Sequence, residues 1–114
     1  MPPPNAKLAE VSREKVVEYL LNSQHPDGAG KAAFFLGAGF VVERWEELAN
    51  ALKGLALHAS VASRVDSSHG SKYIVDGEIE TPRGQSVSVR TVWIIDSGRQ
   101  ILRLVTAYPL RQDS

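Results

Sequence analysis

The apolar pattern of this chain changes period once, near residue 59, and that change limits the folds open to it. Between Ser12 and His58 apolar residues recur every three or four positions, the spacing of one helix face. Beyond Ala59 they alternate with polar residues, the spacing of a strand with one covered face. Helices in the first half and strands in the second predict an α+β fold, with about three helices packed on an antiparallel sheet.

The helical half divides at its glycines and proline. Ser12 caps a first helix running to about Leu21, with Glu14 in its first turn and Val16, Val17, Leu20 and Leu21 as its apolar stripe. Asn22 to Gly30 is a break: Pro26 disfavours helix at His25, and Gly28 and Gly30 permit a tight turn. A second helix over Lys31 to Gly37 buries Phe34 and Phe35. A third over Glu43 to His58 carries Trp45, Leu48, Leu52 and Leu55 on one face, weakened slightly by Gly54. Residues 1–7, with three consecutive prolines, read as a flexible arm ahead of a single domain over 8–110.

The strand half predicts a meander of three to four strands. Ala59 to Asp66 is the first, followed by a loop over Ser67 to Ser71. Lys72 to Glu80 places Tyr73, Val75, Gly77 and Ile79 on one face. Ser86 to Asp96 is apolar on both faces, as a central strand would be, with Val87, Val89, Trp93 and Ile95 on one side. Ile101 to Tyr108 is the last, stopped by Pro109. Pro82-Arg83-Gly84 and Asp96-Ser97-Gly98 are the turns between them.

Composition excludes several functions. The 114 residues hold 13 acidic and 13 basic side chains, which argues against a dedicated nucleic-acid binder with a strongly basic surface. The charge is uneven, because Arg83, Arg90, Arg99, Arg103 and Arg111 face only Asp96 and Asp113 in the last third. Without cysteine there is no disulfide, thiolate metal site or cysteine nucleophile. No signal peptide opens the chain and no apolar run approaches the roughly 20 residues that span a bilayer, so a cytoplasmic setting without membrane contact is expected.

No motif of high specificity is present. The glycines follow no strand, so neither a dinucleotide turn nor a phosphate loop is formed, and no GxSxG elbow occurs. His25, His58 and His69 lack metal-ligand spacing, and no cofactor is expected. The polar groups that remain fall in three places. His25 and Lys31 flank the glycine-rich break. His69 and Lys72 flank the entry to the second strand. Arg90, Thr91, Arg103, Thr106 and Tyr108 lie on the last two strands. Each also has a structural use: His25 in a turn, His58 at a helix end, and Thr91, Thr106 and Tyr108 as good strand formers.

Several stretches together resemble DUF6883, a family of uncharacterised bacterial domains. They are Glu18-Tyr19-Leu20-Leu21-Asn22, His25-Pro26-Asp27-Gly28 with Lys31 and Phe35, and Leu36-Gly37-Ala38-Gly39-Phe40. Trp45-Glu46-Glu47-Leu48 and Gly70-Ser71-Lys72-Tyr73 follow. The ending, Val89-Arg90-Thr91-Val92-Trp93-Ile94-Ile95 with Arg103-Leu104-Val105-Thr106-Ala107-Tyr108-Pro109, is the most specific part. A second, fold-level resemblance is to small bacterial ribonuclease toxins of the barnase, EndoU, colicin and RelE type. It rests on helices before an antiparallel sheet and on the close Thr106-Ala107-Tyr108-Pro109.

That second resemblance implies RNA cleavage without a metal by an endoribonuclease. His25 or His69 would then act as acid or base, and Arg90 with Lys31 or Lys72 would contact phosphate. Thr91, Thr106 and Tyr108 would position the scissile group, and Arg103 would add a substrate contact. With no delivery domain in the sequence, a toxin–antitoxin pair with an acidic antitoxin is the expected setting. A different class stays open beside it: a non-catalytic protein-binding module of immunity or adaptor type, consistent with the neutral charge and the lack of a firm motif.

Overall fold

In a computed structural model that describes residues 1–27 and 29–110, the period change becomes a two-layer α+β architecture. Gly28, expected in the first break, and Arg111 lie outside the described residues. A 3-10 turn at Ala6–Leu8 precedes α1 (Arg13–Lys15), which continues directly into a π-helical segment, Val16–Leu20. Then come α2 (Ala29–Gly37), a 3-10 turn at Val42–Arg44, and α3 (Trp45–His58). The strands are β1 (Val61–Ser67), β2 (Gly70–Glu80), β3 (Ser86–Asp96) and β4 (Leu102–Pro109). They form one antiparallel sheet in the order β1-β2-β3-β4, the expected meander.

The helices cover one face of this sheet. Leu48, Ala49, Leu52, Leu55 and Ala56 of α3 are buried against Tyr73, Val75 and Ile79 of β2 and Val89 and Trp93 of β3. Each fully buried leucine contributes roughly 2 kcal/mol by removal of apolar surface from water. Gly77 lets α3 approach, since a Cβ there would meet Leu55 Cγ at 3.2 Å. Ser12 caps α1 as expected, its Oγ accepting from the Lys15 amide at 3.1 Å. Residues 1–7 lie against the domain: the Val61 amide donates to the Met1 carbonyl at 2.9 Å, and Asn5 Nδ2 donates to the Gln100 carbonyl at 2.7 Å.

Three local differences from the sequence reading have physical causes. The loop expected over Ser67 to Ser71 is a tight turn at Ser68 and His69, and β2 begins at Gly70. Gly70 adopts φ 141°, and a Cβ there would sit 2.2 Å from the Ile95 carbonyl oxygen, so only glycine permits the turn to close so early. Pro109 does not stop β4 before itself, because it pairs with Val89 at the strand's end. The core face of β3 carries the expected Val87, Val89, Trp93 and Ile95, but with Thr91 at its centre, so it is not an all-apolar row. Thr91 is fully buried because its hydroxyl donates to the Val75 carbonyl at 2.7 Å and accepts from Trp93 Nε1 at 2.7 Å.

β4 changes phase along its length. Trp93 pairs with Leu104 but Val92 pairs with Thr106, so Val105 is an extra residue opposite the β3 ladder. Before this bulge Leu102 and Leu104 face the core; after it Ala107 does. Thr106 and Tyr108 are thereby turned to the uncovered face, in register with Val92 and Arg90.

Two glycine substitutions should move stability in opposite directions. Gly70→Ala is expected to cost about 2–3 kcal/mol through backbone strain and collision with Ile95. Gly54→Ala, with open space at its Cβ in the interior of α3, should stabilise by up to about 1 kcal/mol. Urea midpoints with an unchanged m-value check both.

Candidate functional site

The site begins where the chain stops pairing with β4. The Glu10 amide donates to the Leu102 carbonyl at 2.8 Å, and the Leu104 amide donates to the Glu10 carbonyl at 3.0 Å. Beyond this bridge the chain turns into α1, and the outer edge of β4 meets side chains of the helices instead of another strand.

The first of those side chains is Tyr19, carried by the π-helical segment. The Leu21 amide reaches back to the Val16 carbonyl at 2.8 Å, a five-residue step. Val16 and Leu20 are fully buried, while Tyr19 is half-buried and directed at β4. Its hydroxyl lies 3.3 Å from Thr106 Oγ1 and accepts a short hydrogen bond from the Lys31 ammonium on α2. Lys31 Nζ sits 4.9 Å from the Tyr19 ring centroid and 5.8 Å from that of Tyr108. Lys15 Nζ is 5.1 Å from the Tyr19 ring. The His25 ring meets Tyr19 edge-on at 4.9 Å, and His25 Nδ1 accepts from the Asp27 amide at 3.0 Å.

Electrostatics follow from these contacts. Burial acts to raise the Tyr19 hydroxyl's pKa, but the hydrogen bonds with Lys31 and Thr106 and the charges of Lys31 and Lys15 outweigh it. The phenol is held below its ordinary range. On the uncovered sheet face, Arg90 grips Asp76 with two hydrogen bonds of 2.8 Å, donated by Nε and Nη2. The Asp76 carboxylate, with a smaller contribution from Tyr108, holds the guanidinium firmly charged. His25, Lys31, Thr106, Tyr108 and Arg90 thus form one connected set through Tyr19 and Tyr108. An open cleft of about 830 Å³ runs alongside it, lined by Lys15, Tyr19, His25 and Thr106, with Glu14, Glu18 and Asp27 also in its wall.

The other residues singled out by sequence lie elsewhere. Thr91 is locked in the core. Arg103 donates to Asp96 at 2.7 and 3.0 Å, and Lys72 shares its row of the sheet, both being in register with Ile94. That row is four residues, roughly 13 Å, from Arg90 along β3. His69 is exposed in the β1–β2 turn, beyond the Gly70–Asp96 pair, so roughly 20 Å separates it from Arg90. Tyr19 is the group that sequence reasoning does not single out. Its only signal is its place in the Glu18-Tyr19-Leu20-Leu21-Asn22 stretch, since neither the π turn nor the approach of α2 is visible in spacing. Among the described residues no group of three or more His, Asp or Glu side chains is arranged to hold a metal ion, and no helix is long and apolar enough to cross a membrane.

The model for the domain of unknown function DUF6883 matches residues 3–111, and the chain belongs to that family. Among solved structures, it is similar to a chain of a contact-dependent growth inhibition toxin–immunity protein complex from Klebsiella pneumoniae 342. The TM-score is 0.70 over 94% of this chain and 97% of that one, at 16% identity, a likeness of fold. No curated protein matches the chain.

Thr91 separates structural from site roles. Thr91→Val leaves the Trp93 indole N–H buried without an acceptor and should cost about 1–3 kcal/mol. Thermal unfolding checks this, and the hydrogen bonds around Tyr19 should be untouched in the variant's structure.

Proposed function

Starting from a DUF6883 domain with this fold, we propose that the chain is a toxin-type endoribonuclease that cleaves RNA without a metal, at the cleft along the outer edge of β4. The observation that carries the reading is the convergence of Tyr19, His25, Lys31, Thr106 and Tyr108 on that edge from the π-helical segment, the loop after it, α2 and β4, with Arg90 of β3 beside Tyr108. The set supplies what transesterification of a phosphodiester needs. Tyr19, His25 and Lys31 offer proton-transferring and hydrogen-bonding groups within one contact network. Arg90 uses two of its N–H groups on Asp76, also engages the Tyr108 hydroxyl, and offers the remainder to a phosphate oxygen, while Lys31 adds a second cation. The Thr106 and Tyr108 hydroxyls orient the scissile group. Lys72 and Arg103, farther along the same sheet face, would meet the strand away from the scissile bond.

The fold likeness to a chain of a toxin–immunity complex supports a protein partner, and a cytoplasmic antitoxin or immunity protein covering this cleft is the form we favour. A second reading, a non-catalytic module of immunity or adaptor type, draws on β1. That strand is the other edge of the sheet, is exposed from Ala62 to Ser67, and leaves Val65 at 56% exposure.

Incubation with total RNA and tRNA in excess EDTA separates the two. The wild type should cleave, His25→Ala should lose about 10²-fold of the rate, and His69→Ala, remote from the cleft, should retain it. A folded wild type, free of inhibitor, that leaves both RNAs intact would sink the nuclease reading and favour the β1-edge module.

A further inference from the structure

We propose that Tyr19, not a histidine, is the proton-accepting group of this site, with Lys31 as its proton partner and an RNA 2′-hydroxyl as the group it deprotonates. The inference rests on the RNA-cleavage reading above and assigns its chemistry. Three independent features lead to it.

The first is the state of His25. Its Nδ1 lone pair is occupied by the Asp27 amide at 3.0 Å, a bond that a proton on Nδ1 would break. The ring therefore presents Nε2–H to its surroundings and serves as a donor. His69 is far from the cleft, so neither histidine is placed to take a proton there.

The second is the setting of the Tyr19 hydroxyl. Lys31 donates to it from α2, Thr106 Oγ1 meets it from β4, Lys15 stands over its ring from α1, and the His25 ring closes its edge. Among the described residues the hydroxyl's hydrogen-bond partners are Lys31 and Thr106, and not the carboxylates of Glu14, Glu18 and Asp27 that share the cleft. The charge touching the oxygen is that of Lys31, with Lys15 over the ring, and both favour the phenolate, in keeping with its depressed titration.

The third is the backbone that holds it. A π-helical turn at Val16–Leu20 departs from the α1 repeat at this point, and such segments recur at functional sites. Here it buries Val16 and Leu20 and still delivers the intervening tyrosine to the edge of β4.

The chemistry closes without an outside reagent. The Tyr19 phenolate takes the proton of the 2′-hydroxyl. The 2′-oxygen bonds to phosphorus as the bond from phosphorus to the 5′-oxygen breaks. The Lys31 ammonium gives a proton to the departing 5′-oxygen, leaving a 2′,3′-cyclic phosphate on one fragment and a 5′-hydroxyl on the other. Tyr19 then passes its proton to the Lys31 amine along the hydrogen bond already present, which restores the starting pair. Nε2–H of His25, with the remaining N–H groups of Arg90 on the adjoining sheet face, would meet the charge that builds on the phosphate oxygens.

Two measurements test this. The first needs no RNA: phenolate absorbance followed from neutral to alkaline pH in a chain with three tyrosines. One phenol should ionise before the others, its step should vanish in Tyr19→Phe, and it should move to higher pH in Lys31→Met. Three phenols ionising in a single step would overturn the proposal. The second compares cleavage of one RNA oligonucleotide and its 2′-deoxy counterpart in EDTA. Wild type should cut only the RNA, and folded Tyr19→Phe should lose about 10²–10⁴-fold in rate. Tyr19→Phe cutting as fast as the wild type would overturn the role of Tyr19 while leaving the nuclease reading intact. A wild type with no cleavage would take both down.

Discussion

The arrangement at this site depends on how little of β4 is paired on its outer edge. Glu10 closes the backbone ladder at Leu102 and Leu104, and the chain then leaves to form α1. An edge with unpaired backbone is a liability unless something covers it. Here the cover is polar side chains from α1, the following loop and α2, so the same feature that protects the edge also gathers hydroxyls, ammonium groups and an imidazole beside it. The bulge at Val105 matters equally. Without its extra residue Ala107 would face outward and Thr106 and Tyr108 would enter the core, leaving Arg90 and Lys31 with no hydroxyls between them.

The helix layer and the sheet are joined through β3, whose core face is Val89, Thr91 and Trp93. Thr91 resolves the conflict of a polar group at the centre. Its hydroxyl satisfies both the Val75 carbonyl and the Trp93 indole, fixing the indole against the helices. Arg90, one position earlier, points the opposite way and is held by Asp76 from β2. A rigid central strand thus carries a structural threonine on one side and a charged, ordered guanidinium on the other. The adjacent pair Arg90-Thr91 reads as one motif in the sequence and splits into two jobs in the fold.

Much of the architecture was legible because it rests on period. The stripe Leu48, Leu52, Leu55 and the alternation Tyr73, Val75, Gly77, Ile79 point to the covered face directly, and short turn signals leave a meander as the simplest path. What period cannot carry is a change of phase. The bulge in β4 and the π turn in α1 each shift the pattern by one residue, and each decides which side chain reaches the site. Tyr19 was hidden for that reason, since a tyrosine beside a buried stripe looks like packing. Likewise, nothing in the sequence distinguishes His25, held against Tyr19, from His69, exposed in a tight turn. That distinction needs the register of the sheet and the approach of α2.

The most direct test of the central claim, that RNA is handled at the outer edge of β4, is a titration of the isotopically labelled protein with a short RNA made uncleavable by 2′-O-methylation, followed through its backbone amide shifts. Saturable shifts confined to Tyr19 to Asp27, Lys31 and Val105 to Tyr108 are the expected result. Shifts clustered on β1, or none at concentrations where the protein stays folded and monomeric, would contradict it.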